Sequence, residues 1–193
     1  MKCSTIISNA KKKNISTIEE RENRYKYVNM NEIWSGIYDF GDYRNQQPIP
    51  TVFYTFSEEV EKANLKITTT GHNWSSGNNG AYNTGNAAEF YEATHNILIN
   101  DEKVYEQHLW RTCNPNPAGC QPQAGTWTYN RSGWCPGSLA MVWDYSLDEY
   151  IADSTINLFY QLDPSYIDEC HPNHPDCVNG QNYCSNCLAA DNP

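Results

Sequence analysis

From about residue 32 to residue 163 the chain is a succession of short apolar or β-branched runs cut by Gly, Asn and Pro, with no helical period long enough to cross between parallel strands. That punctuation confines the fold to antiparallel β-structure. Thr51 to Phe56, Asn64 to Thr70, His95 to Asn100, Lys103 to Trp110, Trp127 to Tyr129, Ser138 to Tyr145 and Ser154 to Leu162 read as strands. Asn100 and Asp101, set between two alternating runs, have the turn chemistry of a hairpin. Each run has one apolar face to hide, so the expected fold is all-β: a two-layer antiparallel β-sandwich, specifically a jelly roll. A chain of 193 residues buries roughly two thirds of its extended surface and needs no second core.

The two ends have a different texture. Residues 1–31 carry KKKN and EERENR, and are expected as a polar amino-terminal extension outside the core. Residues 32–163 form the sandwich domain, and residues 164–193 a cysteine-rich tail without a core of its own. Eight cysteines, most of them between Cys113 and Cys187, exceed what a reducing cytosol keeps and point to an extracellular or otherwise oxidising compartment. The opening MKCSTIISNAKKKN puts its short apolar run ahead of the Lys11–Lys13 cluster, the reverse of an export signal, and no later stretch is long enough to span a bilayer. Sequons stand at Asn14, Asn73 and Asn130. With 23 acidic against 13 basic residues, and only Lys103, Arg111 and Arg131 basic after Lys66, a phosphate backbone would be repelled; nucleic acid is not an expected partner.

Chemistry concentrates between Thr70 and Gly137. Glu89 can hold a water or a hydroxyl and Arg131 can stabilise developing negative charge, if the fold brings them together; the alternative is a structural ion pair. Trp74, Trp127 and Trp134 lie in glycine-rich stretches where aromatic faces can stack on sugar rings, and His72 follows Gly71 at a strand end; these are the candidate substrate-binding residues, with packing as the competing role for every tryptophan. His95, heading an alternating run, reads instead as a hydrogen-bonded, partly buried imidazole. No HxH or HExxH spacing supports a metal in this region, and no cofactor is expected. In the tail, Cys170, Cys177, Cys184 and Cys187 with His171 and His174 offer zinc donors, but the spacing lacks paired CxxC knuckles. Disulfides are expected there, with three pairings open. Cys113 and Cys135 would close the loop that carries Arg131, while the partners of Cys3 and Cys120 stay open.

At these residues the chain resembles a known family. The run GHNW, then NAAEFYEATHNILIN, then CNPNPAGCQPQAGTW, then YNRSGWCPG is similar, in that order, to the carboxy-terminal domain of the bacterial peptide N-glycosidase F family, with weaker similarity over roughly residues 33 to 162. The resemblance implies a jelly roll, a disulfide between Cys113 and Cys135, and Glu89 and Arg131 as site residues lining a cleft between two such domains. It implies recognition of the Asn–GlcNAc region of an N-glycan or glycoprotein and, if the chain is active, hydrolysis of the asparagine-linked amide. Two departures stand out. Ala87 and Tyr91 occupy the positions of family cysteines flanking the glutamate, and the roughly 30 residues ahead of the sandwich cannot form the family's amino-terminal domain, which bears an aspartate. Asp39 and Asp42 match no motif for that aspartate, so a second jelly-roll domain or subunit is the implied partner. The alternative is a non-catalytic extracellular glycan- or protein-binding or structural module; copper-dependent hydroxylation is disfavoured by the lack of paired histidines.

Overall fold

Alternation shows directly in burial. In Lys62–Thr70 and Ala93–Ile99 every second residue faces an apolar interior, the period that a strand with one covered face requires. The computed structural model describes residues 2–12, 25–72, 88–181, 184 and 187–188. These contain eight strands: β1 (Lys2–Lys12), β2 (Tyr25–Ile37), β3 (Val52–Thr55), β4 (Lys62–Thr70), β5 (Ala93–Ile99), β6 (Glu102–Leu109), β7 (Trp143–Ser146) and β8 (Thr155–Gln161), with a short 3-10 helix, Asp148–Asp153, before the last. They build two four-stranded sheets, ordered β2-β1-β4-β7 and β3-β8-β5-β6, and every recorded pairing is antiparallel. The fold is thus an all-β, two-sheet antiparallel sandwich.

The core lies between the sheets. Ile7, Leu65 and Ile67 from the first meet Ile97, Ile99 and Leu158 from the second, all at most 1 % exposed. Trp34 is buried there too, its indole N–H donating to the Pro50 carbonyl at 3.0 Å, so this tryptophan is structural. The β5–β6 hairpin turns on Asn100 and Asp101, whose φ values of 52° and 68° are the left-handed pair that a two-residue turn demands.

Three expectations are corrected. Residues 2–12 lie inside the first sheet, paired to β2 on one side and β4 on the other, and are not a polar extension. Trp127 to Tyr129 is a turn rather than a strand, because its carbonyls bend toward one guanidinium, as described below. Of Ser138 to Tyr145 only residues 143–145 are strand.

On one flank the two sheets are fastened to each other. Tyr105 and Tyr145 stack with ring centroids 4.7 Å apart; the Tyr105 hydroxyl donates to the Ser146 carbonyl at 2.6 Å and the Tyr145 hydroxyl to the Glu106 carbonyl at 2.8 Å. Edge strands β6 and β7 are thereby clasped. Burial pushes the Tyr145 hydroxyl up to about 12, so it stays a donor throughout the neutral range. Tyr145→Phe keeps the stack and deletes one hydrogen bond, and is expected to lower the unfolding free energy by about 1 kcal/mol. An unchanged urea midpoint would show that the hydroxyl contributes nothing.

The tail has no strand among its described residues and docks by side chains and a backbone hydrogen bond. Tyr166 stacks on Phe40 at 4.2 Å, the Asp168 N–H donates to the Gly41 carbonyl at 2.9 Å, and Asn173 donates to Asp42 at 2.8 Å. Disulfides join Cys170 to Cys184 and Cys177 to Cys187. With the Cys113–Cys135 bridge they make three, which fits an oxidising, extracellular-type environment. No helix among the described residues is long and apolar enough to cross a membrane.

Candidate functional site

Beyond the end of β4 the backbone enters a crowded junction. Gly71 N–H donates to the Ser132 carbonyl at 3.0 Å, Ser132 N–H donates to the Glu89 carbonyl at 2.9 Å, and Arg111 and Arg131 exchange N–H···O bonds at 2.9 and 3.1 Å. Three loops meet here because small residues let them. Gly133, at φ +81°, lies so close to the Thr69 carbonyl that a methyl group would overlap it, and Gly71 abuts the Ala88 carbonyl in the same way. The Cys113–Cys135 bridge, with both residues 1 % exposed, closes the loop that delivers Arg131.

Arg131 is used up by this junction. Its Nε donates to Glu89 Oε1 at 2.7 Å; Nη1 to the Tyr129 and Trp127 carbonyls at 2.8 and 3.4 Å; Nη2 to the Thr126 carbonyl and hydroxyl at 2.7 and 3.0 Å. A guanidinium has five N–H donors, and each has an internal acceptor. The rings of Phe90 and Trp134 each lie 5.1 Å from its central carbon, adding cation–π contact. Glu89 is different. It holds Arg131 through Oε1, its side chain is 13 % exposed against 4 % for Arg131, and Oε2 accepts no hydrogen bond among the described residues. The pair therefore leaves one carboxylate oxygen, and no guanidinium N–H, without a hydrogen bond among the described residues.

The other expected residues divide. Trp134 and His72 come together, their rings 5.1 Å apart; the Trp134 N–H donates to the Gly71 carbonyl at 2.8 Å and His72 Nε2 bonds the Thr70 hydroxyl at 2.9 Å. Trp127 reaches the site through its carbonyl, while its indole nitrogen is buried without a partner among the described residues. Trp74 lies outside the described residues, as do the sequons at Asn14 and Asn73. Asn130, the third sequon, accepts the Cys113 N–H at 3.1 Å. Residues that sequence reasoning missed are Phe90, Thr126, Ser132 and Tyr129. Phe90 and Ser132 adjoin Glu89 and Arg131 in the chain, and Tyr129, 38 % exposed and edge-on to Phe90 at 6.0 Å, is an accessible aromatic beside the pair.

Asp39 and Asp42 do not bond to this pair. Asp42 Oδ1 accepts the Arg44 N–H and the Asn173 amide, both at 2.8 Å, and lies 3.8 Å from His171. Asp39, Asp42 and His171 form a group with donor atoms within 4.8 Å of one another, a spacing that could hold a cation; Asp42 Oδ1 is already hydrogen-bonded. His95 is fully buried, as an imidazole that accepts the Asp163 N–H at Nδ1, 2.8 Å away.

Residues 40–185 match the family described as "Peptide-N-glycosidase F, C terminal". The chain belongs to that family. Its similarity to a curated relative, peptide-N(4)-(N-acetyl-beta-D-glucosaminyl)asparagine amidase F from Elizabethkingia miricola, is 33 % identity over 106 residues, covering 53 % of this chain and 28 % of that protein. Among solved structures, a crystal structure of a peptide-N(4)-(N-acetyl-beta-D-glucosaminyl)asparagine amidase superposes with a TM-score of 0.51 at 26 % identity, over 61 % of this chain and 37 % of that one. The chain thus spans just over a quarter of the length of the curated relative it matches. Family membership makes the sandwich a jelly roll of the peptide-N-glycosidase F kind and the chain a glycan-amidase-like domain.

Proposed function

We propose that this domain recognises the Asn–GlcNAc region of N-glycopeptides through Glu89, and that it supplies one half of an amidase site whose other half comes from a second jelly-roll domain or subunit. The observation that carries the reading is the asymmetry of the ion pair: Arg131 fixes Glu89 through Oε1 and leaves Oε2 as an oriented acceptor. An oriented carboxylate oxygen suits a sugar hydroxyl, the linkage amide N–H or an attacking water. Tyr129 and His72 with Trp134 supply ring faces for the sugar. In the amidase reaction water adds to the asparagine side-chain carbonyl, the C–N bond breaks, the glycosylamine leaves and aspartate remains. Glu89 positions water or hydroxyl in this scheme, and the partner carries the proton-accepting base.

The second reading, a non-catalytic glycan-binding module, is favoured by one feature: a saturated Arg131 has no N–H to stabilise an oxyanion. The test is titration of the oxidised protein with a short N-glycopeptide, followed by mass spectrometry for asparagine-to-aspartate conversion. Parent protein is expected to bind, Glu89→Gln to bind roughly tenfold more weakly through loss of a charge-assisted hydrogen bond, and neither to convert the peptide alone. Equal binding by the variant would remove Glu89 from the site. Conversion by the parent that is lost in the variant would make this chain a complete amidase.

A further inference from the structure

The turn that carries Glu89 belongs to no strand, and its far side is held by the tail. Tyr91, two residues on from Glu89, gives its carbonyl to the Ser132 hydroxyl, while its ring lies against Tyr166 with centroids 4.4 Å apart and edge-on to Phe40 at 6.3 Å. Tyr166 is 4 % exposed and is held on three sides: stacked on Phe40, pressed against Gly41 where no side chain would fit, and followed by Asp168, whose N–H bonds the Gly41 carbonyl. The Tyr91 hydroxyl lies 3.5 Å from the Ser165 hydroxyl. Four residues beyond Tyr166, Cys170 begins the crosslinked part of the tail.

A continuous set of contacts therefore runs from the disulfides through Tyr166 and Tyr91 to the Glu89 turn. The geometry points to Tyr166 as a positioning residue for Glu89: the crosslinked tail holds Tyr166 against Tyr91 and so keeps the Glu89 carbonyl on the Ser132 N–H and the Glu89 carboxylate on Arg131. Tyr166 acts through Tyr91. Physical continuity alone does not establish coupling, so the test reads the Glu89 turn itself.

The Ser132 amide is the reporter, because its only recorded acceptor is the Glu89 carbonyl. In Tyr166→Leu, hydrogen exchange at Ser132 is expected to accelerate by roughly tenfold or more, with the amides of β5 and β8 in the core keeping their parent rates; Tyr166→Phe, which retains the ring, is expected to exchange like the parent. If Tyr166→Leu does not fold, the double variant Cys170→Ser with Cys184→Ser replaces it, with the same accelerated exchange expected at Ser132. Parent-like exchange at Ser132 in a folded Tyr166→Leu or in the double variant would overturn the inference, as would uniform acceleration across the core. A binding arm rests on the function proposed above: Tyr166→Leu should weaken glycopeptide affinity, and combining it with Glu89→Gln should add little further loss. If the parent binds no glycopeptide, the proposed function fails while the exchange result still decides the role of Tyr166.

Discussion

Replacing Arg131 with methionine is expected to destabilise the fold by about 3–5 kcal/mol, the range for removing one partner of a buried ion pair. Methionine fills much of the volume but provides no donor. It strands Glu89 Oε1 and the carbonyls of Thr126, Trp127 and Tyr129 around a position where the arginine side chain is 4 % exposed. For a chain of this size the loss corresponds to a melting temperature lower by about 10 °C. Arg131→Lys is expected to rescue little, since one ammonium cannot span acceptors arranged around a planar fork. Glu89→Gln should cost much less, about 1 kcal/mol, because the amide oxygen still accepts from Nε. Urea unfolding of the three variants checks the ranking; an Arg131→Met loss under about 1 kcal/mol would mean that these bonds are solvated and the junction is not what orders the loop.

The second large effect is acid sensitivity centred on His95. Burial drives its pKa down to about 4, against a modest opposing pull from Asp163. The geometry agrees: Nδ1 accepts the Asp163 N–H, Nε2 is buried without a partner among the described residues, and the rings of Phe40 and Tyr160 lie 5.3 and 5.5 Å away. In the unfolded chain the imidazole titrates near its ordinary value of about 6.5. Between those values the unfolded state binds the extra proton, so stability is full above about pH 6.5 and falls as the pH drops to about 4. The integrated loss is about 3 kcal/mol. Burial raises Asp168 toward the same window, whereas Asp163, which burial also raises, is brought below its ordinary value by hydrogen bonds from Ser165 and Thr94 and so stays below that window. His95→Asn isolates the term, as its side-chain oxygen can still accept the Asp163 N–H. Denaturant unfolding at pH 7 and pH 4 should show the parent losing about 3 kcal/mol more than the variant. Identical pH slopes would remove His95 from the account.

How much of this was legible depended on where the information sits. The β5–β6 hairpin was readable because Asn100 and Asp101 are turn residues with left-handed φ and the runs beside them alternate. β1 was not. Its pairing with β2 shifts register between Thr5 and Ile6 and again between Ser8 and Ala10, so a strict period of two is broken, and one inward position is Asn9. That asparagine is fully buried because it donates to Asn29 and Tyr54, partners 20 and 45 residues away. A buried amide whose donors are taken up at long range looks like a surface residue in sequence. Trp127 to Tyr129 misled for the opposite reason: the residues suit a strand, but the Arg131 guanidinium gathers the Thr126 and Trp127 carbonyls together with that of Tyr129, and a strand would have pointed those of the neighbours Thr126 and Trp127 to opposite edges. Glu89 and Arg131 could be singled out from the chain because basic residues are so scarce there. That Arg131 is saturated could not, since four of its five bonds go to the short Thr126–Tyr129 stretch, three of them to backbone oxygens that carry no side-chain signature. The tail pairing was equally hidden, as four cysteines permit three schemes and only the fold selects one.

The selected scheme has a topological consequence. In chain order the bridges interleave, Cys170 to Cys184 and Cys177 to Cys187, so the second begins inside the first and the first ends inside the second. A protease cut at any single peptide bond from Cys170 to Cys187 therefore falls within at least one closed ring, and both new ends stay covalently attached. A nested arrangement would give the same cover, whereas side-by-side bridges would leave the stretch between them open to severance. In a milieu where extracellular proteases reach exposed loops, one nick between Cys170 and Cys187 releases nothing, and Tyr166 remains tethered to the whole crosslinked stretch.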